Sequence, residues 1–298
     1  MKTRIPWIFL AIVFIPAPQV TQAQQPSVPD LEYGRAGDIS LKLDLYLPKS
    51  TGPHPLIVWI HGGAFMAGDK GQIFWTPLLG ETERGYAVAS INYRLSGQAT
   101  FPAPFQDVRA AIRWLRANAR KYDINAERIV AGGESAGGYL AALLGTAGAV
   151  PVFDTFPMTN SKQSSRIQGV VDFFGPTDFL QMDAGAPHSC EKPMVHNVAD
   201  SPESRLLGCN LQKCPEKVKI ANPITYVSKD APPFLILHGT ADCLVAPAES
   251  QLLYDAMTVA GVRASLHLLP ELSHADRRFI SGENEKLVND FLDSVLKR

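Results

Sequence analysis

Residues 133–137 read Gly-Glu-Ser-Ala-Gly, a serine with glycines two places before and two places after. That spacing suits a nucleophile. A serine hydroxyl attacks a carbonyl only if the backbone presents it on a sharp, strained turn between a strand and a helix, and flanking glycines remove the side chains that would clash in so tight a turn. The apolar run Arg128–Ala131 leads into the motif and the Ala- and Leu-rich stretch 136–145 leaves it, which supplies the strand and the helix. The helix N-terminus also favours developing negative charge. The chemistry this points to is acyl transfer through Ser135. An ordinary serine in a glycine-rich turn is the alternative. A second glycine-rich segment, His61-Gly-Gly-Ala-Phe65, follows another buried apolar run and suits a loop that turns backbone N–H groups inward to hold an oxyanion.

The elements that must carry these residues are legible as alternating apolar runs and amphipathic stretches. Leu41, Leu43, Leu45 and Leu47 alternate with Lys42, Asp44 and Tyr46, the pattern of a half-buried antiparallel strand. Continuous apolar runs at 56–60, 86–91, 128–131, 170–174 and 234–237 predict strands buried on both faces, with a further strand at 264–269. Helical periodicity lies between them, around Val108, Ala111, Ile112 and Leu115, over 136–145, around Leu252–Met257, and over 287–296. Such alternation predicts an α/β fold with a mostly parallel central sheet and helices on both faces, and active sites at the carboxyl ends of the strands. Residues 24–30 read as a linker. The proline-rich stretch 176–233, with three of the four cysteines, reads as an insertion over the site carrying short helices, within one catalytic domain spanning 24–298.

HGGAF followed by GESAGG resembles the esterase branch of the α/β-hydrolase superfamily, and the chain is most similar there to secreted bacterial feruloyl and acetyl-xylan esterases. The segments Asn92–Arg94, Phe174–Asp178 and Asn222–Tyr226 fit that group and are expected to be structural. The resemblance implies an α/β-hydrolase fold and a serine esterase needing no cofactor. It places the oxyanion donors on the N–H groups of Gly63, Ala64 and Ala136, and gives His61 a role in supporting the loop. Glycine is common in this group where Ala64 stands. Chain order in the family is Ser, then Asp or Glu, then His. Asp242, in His-Gly-Thr-Ala-Asp after the strand 234–237, is the expected acid. Of the two histidines that follow, His267 lies within a strand and His274 in the loop beyond it. A loop can bring an imidazole to Ser135, so His274 is the expected base. The family often has glycine on both sides of this histidine, where this chain has Ser273 and Ala275. Phe65, Phe74 and Trp75 are candidates for lining an acyl or aryl pocket, or for core. An amide or peptide hydrolase of the same fold, and a non-catalytic binding module, are the alternatives.

Composition fits this reading. With 298 residues, 46% hydrophobic and 19% charged, the chain can bury a sizeable core, and a formal charge of −1 without basic runs gives no footprint for nucleic acid. Lys2 and Arg4, an apolar run over 5–15 and the small-residue site Thr21-Gln-Ala23 form the pattern of a signal peptide over 1–23. The expectation is therefore a secreted or periplasmic protein, with an uncleaved membrane anchor as the alternative. Export makes disulfides the expected state of Cys190, Cys209, Cys214 and Cys243. Three connectivities are open. Spacing favours Cys209 with Cys214 and Cys190 with Cys243, with zinc binding as the competing reading. The expected partner is a small-molecule or carbohydrate-linked ester.

Overall fold

The computed structural model of the chain describes residues 25–75, 77–154 and 160–297, and no side chain at 73–75, 77 or 79. The signal-peptide segment 1–23 and the side chains of Phe74 and Trp75 lie outside what is described. Eight strands form one sheet: β1 (Val28–Ala36), β2 (Ile39–Tyr46), β3 (His54–Ile60), β4 (Ala87–Ile91), β5 (Ile124–Glu134), β6 (Gly169–Phe173), β7 (Phe234–Gly239) and β8 (Ala264–Leu269). Their spatial order is β1-β2-β4-β3-β5-β6-β7-β8. The pairs β1/β2 and β2/β4 are antiparallel and every other pair is parallel.

Side chains alternate along a strand, so the inner strands feed two cores. Leu56, Val58 and Ile60 of β3 join one cluster, with Phe105 and Val108 of α1 (Ala103–Ala117), Leu140 of α2 (Ala136–Ala147) and Leu253 of a later helix, α5. Ile57 and Trp59 join the other, with Val288, Leu292 and Leu296 of the C-terminal helix, α6. Both faces are thereby covered, as continuous apolar strands require. Between β6 and β7 lie two short α-helices, α3 (Pro202–Leu207) and α4 (Pro215–Ala221), and two 3-10 turns, Leu211–Lys213 and Pro223–Tyr226. Then come α5 (Pro247–Val259) and α6 (Gly282–Leu296).

Two sequence expectations need correction. Residues 28–30 belong to β1 and not to a linker. β1 is an edge strand with a single buried side chain, Tyr33, so it carries little apolar alternation. The ladder to β2 and the Asp30 N–H on Asp44 Oδ1 (2.8 Å) hold it instead. β2 is more than half-buried, since Asp44 and Tyr46 are also covered; the Lys70 ammonium, 2.9 Å from Asp44 Oδ2, neutralises the carboxylate. Disulfides join Cys190 to Cys243 and Cys209 to Cys214. These consume all four thiols and leave none for zinc. Among the described residues no helix is long and apolar enough to cross a membrane.

Candidate active site

Ser135 stands between β5 and α2, with φ 52° and ψ −120°. A non-glycine residue pays about 1–3 kcal/mol for such a conformation, so its surroundings must impose it. They do so from both sides. The Ser135 N–H donates to the Phe173 carbonyl at the end of β6 (2.9 Å), and the Ser135 carbonyl accepts from Tyr139 N–H (3.0 Å). The glycine two places on is required by close approach: a Cβ on Gly137 would lie 2.0 Å from the Ile60 carbonyl oxygen.

The loop after β3 brings its backbone to the same place. Gly63, Ala64 and Phe65 run at φ 107°, 54° and 61°. Its shape is held by His61, which is buried, stacks on Tyr93 at 4.4 Å and keeps Nδ1 2.7 Å from the Gly62 carbonyl. Burial pushes the His61 pKa down, and the imidazole is a structural wedge. The Tyr93 hydroxyl donates to the His61 carbonyl (2.9 Å), and Arg94 binds Asp107 through two hydrogen bonds of 2.7 Å, so the 92–94 segment supports this loop from behind.

Asp242 follows β7 and is fully buried. Its Oδ1 accepts from the N–H groups of Leu244 (2.8 Å) and Val245 (3.0 Å). Its Oδ2 lies 2.6 Å from His274 Nδ1 and 3.3 Å from His238 Nε2. Burial raises the pKa of this carboxyl, but the hydrogen bonds and charges of the two imidazoles outweigh it and hold Asp242 far below the usual carboxylate range. His238, absent from the expected site, is thus a second partner of this carboxylate. Its Nε2 is also 3.0 Å from the Val245 carbonyl and its Nδ1 2.7 Å from Ser250 Oγ. Its position at the end of β7, four residues before Asp242, was the available signal.

His274 emerges from the loop after β8, and its ring packs against Phe174 at 4.6 Å. His267 stays within β8, in register with Leu237. Ser135, His274, Gly63, Ala64 and Ala136 all line one cavity of about 280 Å³, which Phe65, Phe174 and Pro176 also wall. Phe65 is at once core and pocket, edge-on to Tyr139 (5.3 Å). Ala64 and Ala275, which replace glycines usual in similar esterases, both adopt positive φ (54° and 57°), so the departure in residue type is not a departure in backbone shape. Glu134 borders the cavity too, and burial raises its pKa against the opposing pull of His274 and the Gly62 N–H. Beyond Glu134, Phe174 and Ala275 lies a larger aromatic cavity of about 350 Å³, walled by Trp59, Phe173 and Phe279. The larger space contains neither Ser135 nor His274.

Comparison with known proteins agrees with this architecture. The BD-FAE family model matches residues 43–257. LipM of Mycobacterium tuberculosis, named a probable carboxylic ester hydrolase, is 33% identical over 250 residues, covering 82% of this chain and 54% of its own length. Esterase LipQ of the same organism is 31% identical over 270 residues, 89% of this chain and 61% of its own. The chain therefore spans only about half to three-fifths of these relatives. A solved truncated form of a carbohydrate esterase from gut microbiota is 31% identical with a TM-score of 0.81, covering 92% of this chain and all of that one. On the family match across most of its length and on its eight-stranded sheet, this chain belongs to the BD-FAE family and has the α/β-hydrolase fold.

Proposed function

We propose that this chain is a serine carboxylic-ester hydrolase in which Ser135 is the nucleophile, His274 the general base and Asp242 the acid that orients it. The observation that carries the reading is the 2.6 Å contact of His274 Nδ1 with a buried, ionised Asp242, on an imidazole that shares a cavity with Ser135. A carboxylate at Nδ1 keeps the ring proton there and leaves Nε2 free to accept. His274 Nε2 then takes the Ser135 hydroxyl proton as Oγ attacks the ester carbonyl. Negative charge grows on the carbonyl oxygen and is held by the N–H groups of Gly63, Ala64 and Ala136. His274 returns the proton to the departing alcohol, and water, with His274 again as base, hydrolyses the acyl-enzyme. The names of LipM, LipQ and the gut carbohydrate esterase support ester chemistry, with carbohydrate-linked esters among the substrates.

Residues 24–298 act in this reading as one catalytic domain, with 176–233 as an insertion over the site. The N-terminal pattern over 1–23 and the two disulfides support export to the periplasm or medium. The test is turnover of p-nitrophenyl acetate, butyrate and octanoate by the mature protein. Ser135→Ala and His274→Ala should abolish it with circular dichroism unchanged, and His267→Ala should retain most of it. Retained turnover in Ser135→Ala overturns the proposal.

A further inference from the structure

Part of the Ser135 cavity wall comes from the segment before and within α3, through Met194, His196, Pro202 and Glu203. Most of the remaining wall is apolar, and it carries two carboxylates, Glu134 and Glu203. Glu203 is only 3% exposed. One of its oxygens, Oε2, lies 2.9 Å from His196 Nδ1, and the other ring nitrogen of His196 is 2.8 Å from the Leu244 carbonyl oxygen. Both nitrogens of this imidazole face acceptors, so both carry protons and the ring is an imidazolium. Burial works against that charge, but the hydrogen bond and charge of Glu203, the Leu244 carbonyl and the nearby Asp183 outweigh it and raise the pKa.

The pair is neutral as a whole, and Glu203 Oε2 is satisfied. Oε1 is open: among the described residues the carboxylate has no hydrogen-bond partner other than His196, and Oε1 is not sealed from solvent. The unpartnered oxygens of Asp172 and Glu249 are sealed inside the protein. Glu203 differs in that its side chain faces the cavity. An ionised carboxylate oxygen on a cavity wall can only accept, and a ligand that fills the cavity takes it out of water. What completes it is therefore a donor brought by the ligand. Because His196 already balances the charge, that donor is a neutral hydroxyl and not a second cation.

We propose that Glu203 is a specificity-determining residue that accepts a hydrogen bond from a free hydroxyl of the substrate, so that the cavity selects hydroxyl-bearing esters over their hydrocarbon counterparts. This rests on the serine-esterase reading above. It assigns the selecting group to a residue 68 positions from the nucleophile in sequence.

The experiment compares kcat/KM within two matched ester pairs, for wild type and for Glu203→Gln. 2,3-Dihydroxypropyl acetate against propyl acetate places the hydroxyl on the alcohol side. p-Nitrophenyl 3-hydroxybutyrate against the butyrate places it on the acyl side. An apolar cavity without an acceptor favours the hydrocarbon member of each pair. With Glu203 as acceptor, wild type should favour the hydroxylated member of one pair by about tenfold or more, the size of a hydrogen bond to a charged group. In Glu203→Gln that ratio should fall at least threefold, because the acceptor has lost its charge. The ratio is internal to each enzyme and so is insensitive to a general loss of activity. A wild type that turns over none of the four esters refutes the esterase reading itself. A wild type that turns them over with both ratios at or below one refutes the role of Glu203 alone, as does an unchanged ratio in the variant. If Glu203→Gln does not fold, Glu203→Asp, which keeps the charge but withdraws the acceptor by one methylene, must lower the ratio in its place.

Discussion

Replacing Asp242 by Asn tests the orientation argument most sharply, because the geometry dictates which way the new amide must face. Oδ1 accepts from two main-chain N–H groups, those of Leu244 and Val245, and neither can be turned into an acceptor. The Asn oxygen must take that side, which points the NH2 group at His274 and His238. His274 Nδ1 then has to accept, its proton moves to Nε2, and the nitrogen that should take the Ser135 proton already holds one. Loss of the correct tautomer and of the charge that stabilises the imidazolium should lower kcat by about 10³–10⁴-fold, or about 4–5.5 kcal/mol of barrier. KM should change little, since Asp242 is not part of the cavity wall. The assay is kcat for p-nitrophenyl acetate, with thermal melts to show that the variant is folded. A variant keeping more than a tenth of wild-type kcat would refute the claim that Asp242 sets the tautomer of the base.

Other outcomes follow from the same geometry. Reduction of Cys190–Cys243, which closes a loop across a sequence separation of 53, should cost about 4 kcal/mol on chain-entropy grounds, against about 2 for Cys209–Cys214 across 5; melts of Cys190→Ser/Cys243→Ser and Cys209→Ser/Cys214→Ser measure the difference. Burial pushes the Asp172 pKa up to about 7, so the folded state holds a proton that the unfolded chain loses near pH 4, and stability should decline as pH rises from about 4 to 7. Asp172→Asn should remove that decline, worth about 4 kcal/mol at pH 8, as read from urea unfolding at pH 4 and 8. Ala64→Gly relieves a left-handed alanine and should raise stability by about 0.5–1 kcal/mol, seen as a higher Tm.

What could be read from the sequence was what is local. The serine motif, its preceding strand and its following helix are contiguous, and a continuous apolar run such as 56–60 can only be a covered strand in so ordinary a composition. The distinction between His267 and His274 followed from strand interior against loop. By contrast, β1 escaped notice because an exposed edge is held by backbone pairing, which leaves no apolar period. His196 and Glu203 escaped because their meaning lies in the contact of His196 with Leu244, 48 residues on, and in a cavity wall assembled across a segment with no repeating pattern. His238 was visible as a residue but not as a partner of Asp242, since its second hydrogen bond depends on how the chain turns after β7.

The Cys190–Cys243 bridge joins two parts that are held in different ways. Ser135, Asp242 and His274 follow β5, β7 and β8, and the strands that carry the first two pack into both cores. The cavity wall contributed by Met194, His196 and Glu203 belongs to a stretch with only short helices, anchored to the acid loop by the bridge, by the Met194 N–H on the Cys243 carbonyl (2.9 Å) and by His196. Such a stretch is an exchangeable cassette: its composition can reshape the cavity wall while the residues carried by the strands stay in place. The same anchoring sets the limit of that freedom, because a cassette that no longer meets the 243–245 turn would pull on the residue next door, Asp242. Libraries that vary 191–207 with Cys190, His196 and the turn fixed therefore reshape the Ser135 cavity without disturbing this framework.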